Sequence, residues 1–269
     1  MEFCFTLLGG DDRQRYLAEA LRRDGHRVCT FSVPGLRDTG TPSDGEIVVL
    51  PTPVLGNEGY IRGTDLTPKE AAGMISGDAA VFGGMTEGLE GCFPGITDMT
   101  RWDSLALANA VPTAEGAIGL ALAAMPGTLQ GSRVLIIGAG RIGLCLARKL
   151  KALDCRVTVT ARKIRDLAAI EALGLHSDIT GAYSLGLDRY DCVFNTVPAC
   201  VLTSQQLRTL RPGCPMIELA SRPGGFTRSD CQAAGLQYIS GAALPGRTAP
   251  LAAGENIARA LLRHLRTPS

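Results

Sequence analysis

Four side chains stand where they could act on an anionic small molecule: Arg222, Arg13, Glu115 and Arg162. Arg222 follows the aliphatic run Met216–Ala220 and precedes Pro223-Gly224-Gly225, which places a guanidinium at a strand terminus. There it can bind a substrate carboxylate, with an exposed loop arginine as the plainer reading. Arg13 follows Gly9-Gly10-Asp11-Asp12 and is a second anion candidate, or simply a first-turn helix residue. Glu115 comes after Pro112-Thr113 at an expected helix start, where it could serve as a general base or orient one. A carboxylate in a first helical turn is also favoured by the helix dipole alone. The histidines do not look catalytic: His26 follows a helix-ending glycine, His176 falls in a helix–strand loop, and His264 is on the polar side of the last helix. No His/Cys/Asp/Glu set has metal-ligand spacing, and neither a Gly-x-Ser-x-Gly elbow nor a Walker loop occurs. Hydride transfer fits that inventory, because it needs no protein nucleophile.

Arg133-Val134-Leu135-Ile136-Ile137-Gly138-Ala139-Gly140-Arg141-Ile142-Gly143 could bring a hydride acceptor to these groups. An aliphatic strand feeds a glycine turn, and the turn opens a helix with Ile142, Leu146, Leu150 and Leu153 on one face. Gly138 makes the tight turn, Gly140 lets the backbone approach a pyrophosphate, and Gly143 lets the helix pack on the strand. Free N–H groups at the helix start, from Arg141 and Ile142 onward, would meet the phosphates. The next strand ends in Thr160-Ala161-Arg162-Lys163, where an NAD site would carry Asp or Glu for the ribose 2′-hydroxyl. Two cations and no acid favour NADP over NAD, unless Arg162 is only a solvated helix-start residue. The lips Asn195-Thr196-Val197-Pro198 and Ser221-Arg222 are expected on the nicotinamide side.

With 269 residues, 45% hydrophobic and 20% charged, the chain can form one large or two medium globular domains. A net charge of +1 offers no electrostatic footprint for nucleic acid or an anionic membrane. No basic, apolar leader is apparent and no apolar run approaches a membrane span, so a cytoplasmic location is expected. Nine cysteines, an odd number without a C-x-x-C pair, read as small buried thiols; Cys4, Cys145 and Cys192 have apolar neighbours.

Taken in order, strands are expected at 3–8, 27–31, 46–50 and 79–82, with a helix after Gly9-Gly10 and a loop over 32–45. A short helix starts at Pro68, and an Ala/Leu-rich helix covers 117–125. Strands at 133–137, 156–160, 191–198, 216–220 and 237–240 follow. Helices fall near 164–173, 204–210, with Ser204 as its cap, and 228–234, and the last runs from about 253 to 266 with Ile257, Leu261, Leu262 and Leu265 on one face. Alternation of this kind argues for α/β architecture with parallel sheets and right-handed crossovers. The expected fold is two Rossmann-like domains, with the C-terminal helix returning to the N-terminal domain and closing a cleft. The divisions are an N-terminal substrate-side domain, 1–110, completed by 250–269; a connecting helix, 111–127; and a nucleotide-binding domain, 128–249.

Five segments in order resemble the A subunit of bacterial dipicolinate synthase: Gly9–Gln14, Asn109–Gly116, Gly138–Gly143, Leu219–Gly225 and Leu244–Pro250. The resemblance implies a nucleotide-binding domain joined to a smaller α/β domain, similar to the D-2-hydroxyacid dehydrogenases. It also implies NADP-linked oxidation of a dihydrodipicolinate-type ring to pyridine-2,6-dicarboxylate, in the mother-cell cytoplasm during sporulation. A separate B subunit resembling flavoproteins is the implied partner, and a homo-oligomer is compatible with the sequence. Arg222 falls where the D-2-hydroxyacid dehydrogenases bind substrate, but Leu244-Pro245-Gly246 stands where they carry a catalytic histidine. The missing histidine counts against alcohol oxidation, whereas aromatisation demands less of a base. Arginines on both cleft walls, Arg13 and Arg222, would suit a dicarboxylate. Two other readings stay open: an NADP-binding scaffold whose partner does the chemistry, and a D-2-hydroxyacid dehydrogenase-like oxidoreductase.

Overall fold

The computed structural model describes residues 2–42 and 46–266. The end of the loop expected over 32–45, and the last three residues assigned to the first domain, lie outside the described residues. The chain divides into two compact units, Met1–Asn109 with Pro245–Ser269, and Ala110–Leu244.

The first unit contains β1 (Cys4–Leu8), α1 (Asp12–Arg23), β2 (Arg27–Phe31), β3 (Ile47–Val49), α2 (Pro68–Met74), β4 (Ala80–Gly83) and β5 (Thr97–Asp98). Its strands pair in parallel in the order β2-β1-β3-β4-β5. Asp11 caps α1 by accepting from the Arg13 backbone N–H, and Thr67 and Glu70 form a capping box on α2. Phe5, Leu7, Ile47, Val49 and Phe82 face a cluster with Leu17 and Leu21 of α1. Leu8, Val48, Leu50 and Val81 face the opposite cluster with Ala71 of α2. Both sheet faces are therefore buried, which is why these strands read as unbroken apolar runs.

A long helix, α3 (Asp103–Ala124), starts in the first unit and continues into the second. It is longer than the connector expected over 111–127, because Pro112 lies inside the helix rather than at its start. A proline there removes only the hydrogen bond to the Ala108 carbonyl. By length and composition alone the helix could cross a membrane, since an 18-residue window of it has a mean hydropathy of 1.4. Its Ala114, Ala117, Ile118 and Ala121 are instead buried in the second unit's core.

The second unit comprises β6 (Arg133–Ile137), α4 (Arg141–Ala152), β7 (Arg156–Ala161), α5 (Ile164–Ala172), β8 (His176–Ile179), β9 (Cys192–Asn195), α6 (Ser204–Leu207), β10 (Pro215–Glu218), α7 (Arg228–Ala233) and β11 (Gln237–Ser240). The six strands are parallel in the order β11-β10-β9-β6-β7-β8. Val134, Ile136, Val157, Val159 and Phe194 pack with α3, α4 and α5, while Leu135, Ile137, Val193 and Met216 pack with Leu207 of α6 and Cys231 of α7. His176 opens β8 instead of lying in a loop. The cap of α6 is Thr203, one residue earlier than expected, since its hydroxyl accepts from the Gln206 N–H.

The chain finishes with α8 (Leu244–Thr248) and α9 (Pro250–Arg266). Ile257, Ala258 and Leu261 of α9 share the first unit's core with Leu17 and Leu21 of α1, so the C-terminal helix does return to the N-terminal domain. Gly254 makes the close approach possible: a Cβ there would lie 2.6 Å from the Arg13 carbonyl oxygen. Residues 245–249, expected with the nucleotide domain, belong to the first unit because Gly246 packs on the Arg13 side chain. His264 is exposed but not on a purely polar face, since its ring stacks on Trp102 at 4.6 Å.

Candidate functional site

In the second unit the strand order reverses between β6 and β9, and the loops after those strands flank the crevice where α/β sheets take ligands. The loop after β6 is the glycine turn. Gly138 has φ +105°, and a Cβ on it would come within 2.4 Å of Thr196 Oγ1. At Gly143 a Cβ would lie 2.0 Å from the Gly138 carbonyl oxygen, which forces glycine where α4 crosses the turn. Gly140 differs, for a Cβ there would meet nothing within 4 Å. As N-cap of α4 it provides no side-chain acceptor, so the helix start has no side-chain cap hydrogen bond. A glycine that the fold does not require, in front of a helix without a side-chain cap, fits the approach of a dinucleotide pyrophosphate. Arg141 is exposed and Ile142 half-buried on this first turn.

Arg162 and Lys163 follow the last residue of β7, next to β6 in the sheet. Both are exposed, and among the described residues neither side chain has a hydrogen bond or ion pair. Across the crevice, the lip after β9 is built differently from the expectation. Asn195 is fully buried, and both ends of its amide are engaged: Nδ2 donates to the Val197 carbonyl (2.8 Å) and to Glu218 Oε1 (2.7 Å), and Oδ1 accepts from the Val197 N–H (3.1 Å). It shapes the lip from beneath rather than offering itself to a cofactor. Thr196 Oγ1 donates to the Ile137 carbonyl at 2.9 Å and so braces the glycine turn. Val197 is half-buried and Pro198 exposed.

The neighbouring lip, after β10, carries Ser221 and Arg222, both exposed. Among the described residues the Arg222 guanidinium has neither a hydrogen bond nor an ion pair. Glu218 sits beneath this lip with a relative exposure of 6%, and the sequence reading missed it. A glutamate closing an apolar strand just before a Pro-Gly-Gly turn was the available signal. Burial pushes its carboxyl above the usual range, against the pull of N–H donors from Gly225, Asn195, Ala220 and Phe226.

Two other expected site residues are committed elsewhere. Glu115 lies in the middle of α3, not at a helix start, and its carboxylate pairs with Lys149 of α4 at 2.7 Å. The dipole reading does not survive that placement, and the carboxylate is engaged in an exposed ion pair. In the first unit, Arg13 Nε and Nη2 donate to the two Asp11 oxygens at 2.8 and 2.7 Å, and Nη2 also donates to the Thr52 carbonyl. This guanidinium fills the crevice between β1 and β3, where that sheet reverses, so it is a structural cation rather than a free anion receptor. Asp11 also attracts Arg62, at 3.5 Å. Burial raises the Asp11 carboxyl, but the bonds and charge of Arg13 together with Arg62 outweigh it and hold the pKa low. None of the nine cysteines forms a disulfide. Burial pushes Cys214 and Cys231 up to about 12, as expected of inert interior thiols. No metal-binding group of His, Cys, Asp or Glu occurs among the described residues.

Residues 113–212 match the NAD-binding domain of the D-isomer-specific 2-hydroxyacid dehydrogenases. The dipicolinate synthase A subunit of Bacillus subtilis is 35% identical over 163 residues, 61% of this chain and 55% of that protein. The chain thus matches about half the length of this curated relative. The crystal structure of the dipicolinate synthase A subunit from Bacillus halodurans superposes with a TM-score of 0.88 at 26% identity, over 99% of this chain and 98% of that one. The chain resembles the dipicolinate synthase A subunit. The corresponding Bacillus subtilis crystal structure gives a TM-score of 0.85 at 25% identity, covering 98% and 95% of the two chains. A transhydrogenase from Sinorhizobium meliloti shares the fold, with a TM-score of 0.71 at 16% identity over 97% of this chain and 93% of that one. The second unit is thus a dehydrogenase-type NAD(P)-binding domain, and the resemblance carried by the five sequence segments extends over the whole chain.

Proposed function

We propose that this protein is the NADP-dependent A subunit of a dipicolinate-forming synthase. In this reading it oxidises a dihydrodipicolinate-type ring to pyridine-2,6-dicarboxylate in the mother-cell cytoplasm of a sporulating bacterium, alongside a flavoprotein-like B subunit. The observation that carries the reading is the exposed, unpaired Arg222 on a lip of the same sheet as the open glycine turn. A cofactor cradle and a carboxylate receptor then share the carboxyl ends of β6, β9 and β10.

When bound, the nicotinamide supplies the acceptor for a hydride from the ring. Gly138, Gly140 and Gly143 keep backbone and helix start clear for the pyrophosphate, with Arg141 and Ile142 presenting the first donors. Arg162 and Lys163 hold the 2′-phosphate, and Thr196, Val197, Pro198 and Ser221 border the nicotinamide side. Arg222 orients a ring carboxylate by paired hydrogen bonds. Loss of one ring hydride and one proton balances the two-electron oxidation, and solvent suffices as proton acceptor because the product gains aromaticity. Leu244-Pro245-Gly246 offers no histidine, which is consistent with a reaction that needs no strong base.

The test combines the chain, its B-subunit partner, the cyclised dihydrodipicolinate precursor and either NADP or NAD, and follows absorbance of the reduced nicotinamide. Turnover with NADP, lost in Arg222→Ala while NADP binding persists, is the expected result. Turnover retained in Arg222→Ala contradicts the role of that residue. A second reading, a nucleotide-binding scaffold, draws on the engagement of Glu115, the expected candidate base, by Lys149. Cofactor binding without any reduced nicotinamide would favour it.

A further inference from the structure

Glu218 has no part in the chemistry above, yet it is among the most heavily bonded side chains of the second unit. Oε1 accepts from Asn195 Nδ2 (2.7 Å) and the Ala220 N–H (2.9 Å), and Oε2 accepts from the Gly225 N–H (2.8 Å). The Phe226 backbone N–H adds a weaker pull on the same carboxylate. The donors come from both ends of the turn that carries Arg222, and the turn closes on itself through Gly224 N–H to the Ser221 carbonyl at 3.0 Å. Space beneath it admits nothing larger than glycine. A Cβ on Gly224 would lie 3.0 Å from Glu218 Oε2, and one on Gly225 would lie 2.5 Å from Asn195 Nδ2. Through Asn195 the same carboxylate reaches Val197, so one buried group ties the lip after β9 to the lip after β10.

Such a carboxylate is engaged in holding the turn rather than presented to a substrate. It is buried, its oxygens are filled by N–H donors, and a proton would displace one of them. An ionised carboxylate can accept all these bonds, whereas the amide of glutamine would set an NH₂ against an N–H.

We propose that Glu218 is the positioning residue for Arg222: by clamping Ala220, Gly225, Phe226 and Asn195 it fixes where the guanidinium meets a substrate carboxylate. This rests on the reading of Arg222 as the carboxylate receptor. Loosening the clamp raises KM for the dicarboxylate by about tenfold, the loss of one charge-assisted hydrogen bond, with little change in NADP affinity.

The experiment compares wild type, Glu218→Gln, Arg222→Ala and the double variant. It measures KM and kcat for the dihydrodipicolinate precursor, NADP affinity, and amide hydrogen exchange at Ala220, Gly225 and Phe226. The expected result is a raised KM in Glu218→Gln and faster exchange at the three amides. In the Arg222→Ala background, where turnover is lost, the dissociation constant of the precursor, read by titration calorimetry in all four proteins, replaces KM, and the added substitution should change it less than about twofold, since coupled residues are not additive. Fully additive effects on precursor binding overturn the proposal, as does unchanged exchange. If wild type shows no turnover, the proposed reaction fails, and exchange alone then decides whether Glu218 clamps the lip. Should Glu218→Gln not fold, Glu218→Asp, which keeps the charge but shortens the reach, takes its place in every arm.

Discussion

The first strand of each unit is a buried parallel strand that feeds a glycine turn and a helix, but the turns have different occupants. After β1 the chain itself fills the turn. The Gly10 N–H donates to the Arg62 carbonyl at 2.6 Å, a Cβ on Gly9 would lie 2.4 Å from that same oxygen, and Asp11 caps α1. Arg13 then bridges Asp11 and the Thr52 carbonyl. After β6 the helix has no side-chain cap, and the space beside Gly140 is open. Similar glycine turns therefore mark an internal packing contact in one unit and an open, uncapped helix start in the other. What separates them is whether the chain supplies its own cap and filling for the turn.

Substitutions at glycines in each unit break this comparison most strongly. Gly143→Ala should weaken dinucleotide binding by at least about a hundredfold, the equivalent of ~3 kcal/mol of lost phosphate contacts, as titration calorimetry would show. In the first unit, Gly63 of the loop after β3 has φ +76°, and Gly63→Ala places a Cβ 2.4 Å from the Gly10 carbonyl oxygen of the turn after β1. It should cost about 2–3 kcal/mol of stability in denaturant unfolding, with NADP affinity unchanged in the folded fraction.

Arg13→Ala should likewise cost stability, about 2 kcal/mol, and leave cofactor binding alone. Asp11 contributes stability while ionised, above its unfolded pKa near 3.8, and that contribution disappears as pH falls through its lowered folded value. Without Arg13 the acid-unfolding limb should move to higher pH, which melting curves across about pH 2 to 5 would detect, the window being set by the reference carboxylate values. A smaller change, about tenfold, is expected for NADP affinity in Arg162→Ala, with NAD affinity within about twofold of wild type. Equal losses for both dinucleotides would remove the 2′-phosphate from the role of Arg162.

The smallest effect concerns His26, buried between Phe3 and Phe5, with Nδ1 accepting from the Phe3 N–H at 3.3 Å. Burial lowers its pKa below the ordinary 6.5, and the charge of Arg266 adds to the shift. The unfolded chain therefore binds a proton first, and stability falls as pH drops from about 6.5 toward the lower folded value. Melting temperature should decline by a few degrees at most, roughly 2–4 °C per kcal/mol, and His26→Phe should flatten that limb.

Much of this architecture was legible because both faces of each sheet are buried, so Phe5–Leu8, Val134–Ile137 and Val193–Phe194 stand out as apolar runs between glycine turns. The strands that escaped notice are at sheet edges: β5 is two residues long, and β8 places Asp178 in the sheet, where its carboxylate accepts from Ser184. Pro112 misled because a proline usually marks a helix start, yet α3 runs through it. The glycine turn that opens α4 was readable from spacing alone. Arg13, Glu115 and Asn195 were not, since a polar residue near a strand end looks the same whether it faces a ligand or a partner in its own chain. Asp11, Lys149 and Glu218 are those partners, and only tertiary packing brings them close.

The central claim, that the dinucleotide binds at the turn after β6 and nowhere else, is tested most directly by calorimetric titration of Gly140→Ala with NADP. The residue has φ −81° and open space beside it, so an alanine should change stability by less than about 1 kcal/mol. Wild type should bind one NADP per chain, and Gly140→Ala, folded as before, should bind at least about tenfold more weakly because its methyl group occupies the space of the pyrophosphate. Wild-type affinity in that variant would place the cofactor elsewhere and contradict the account.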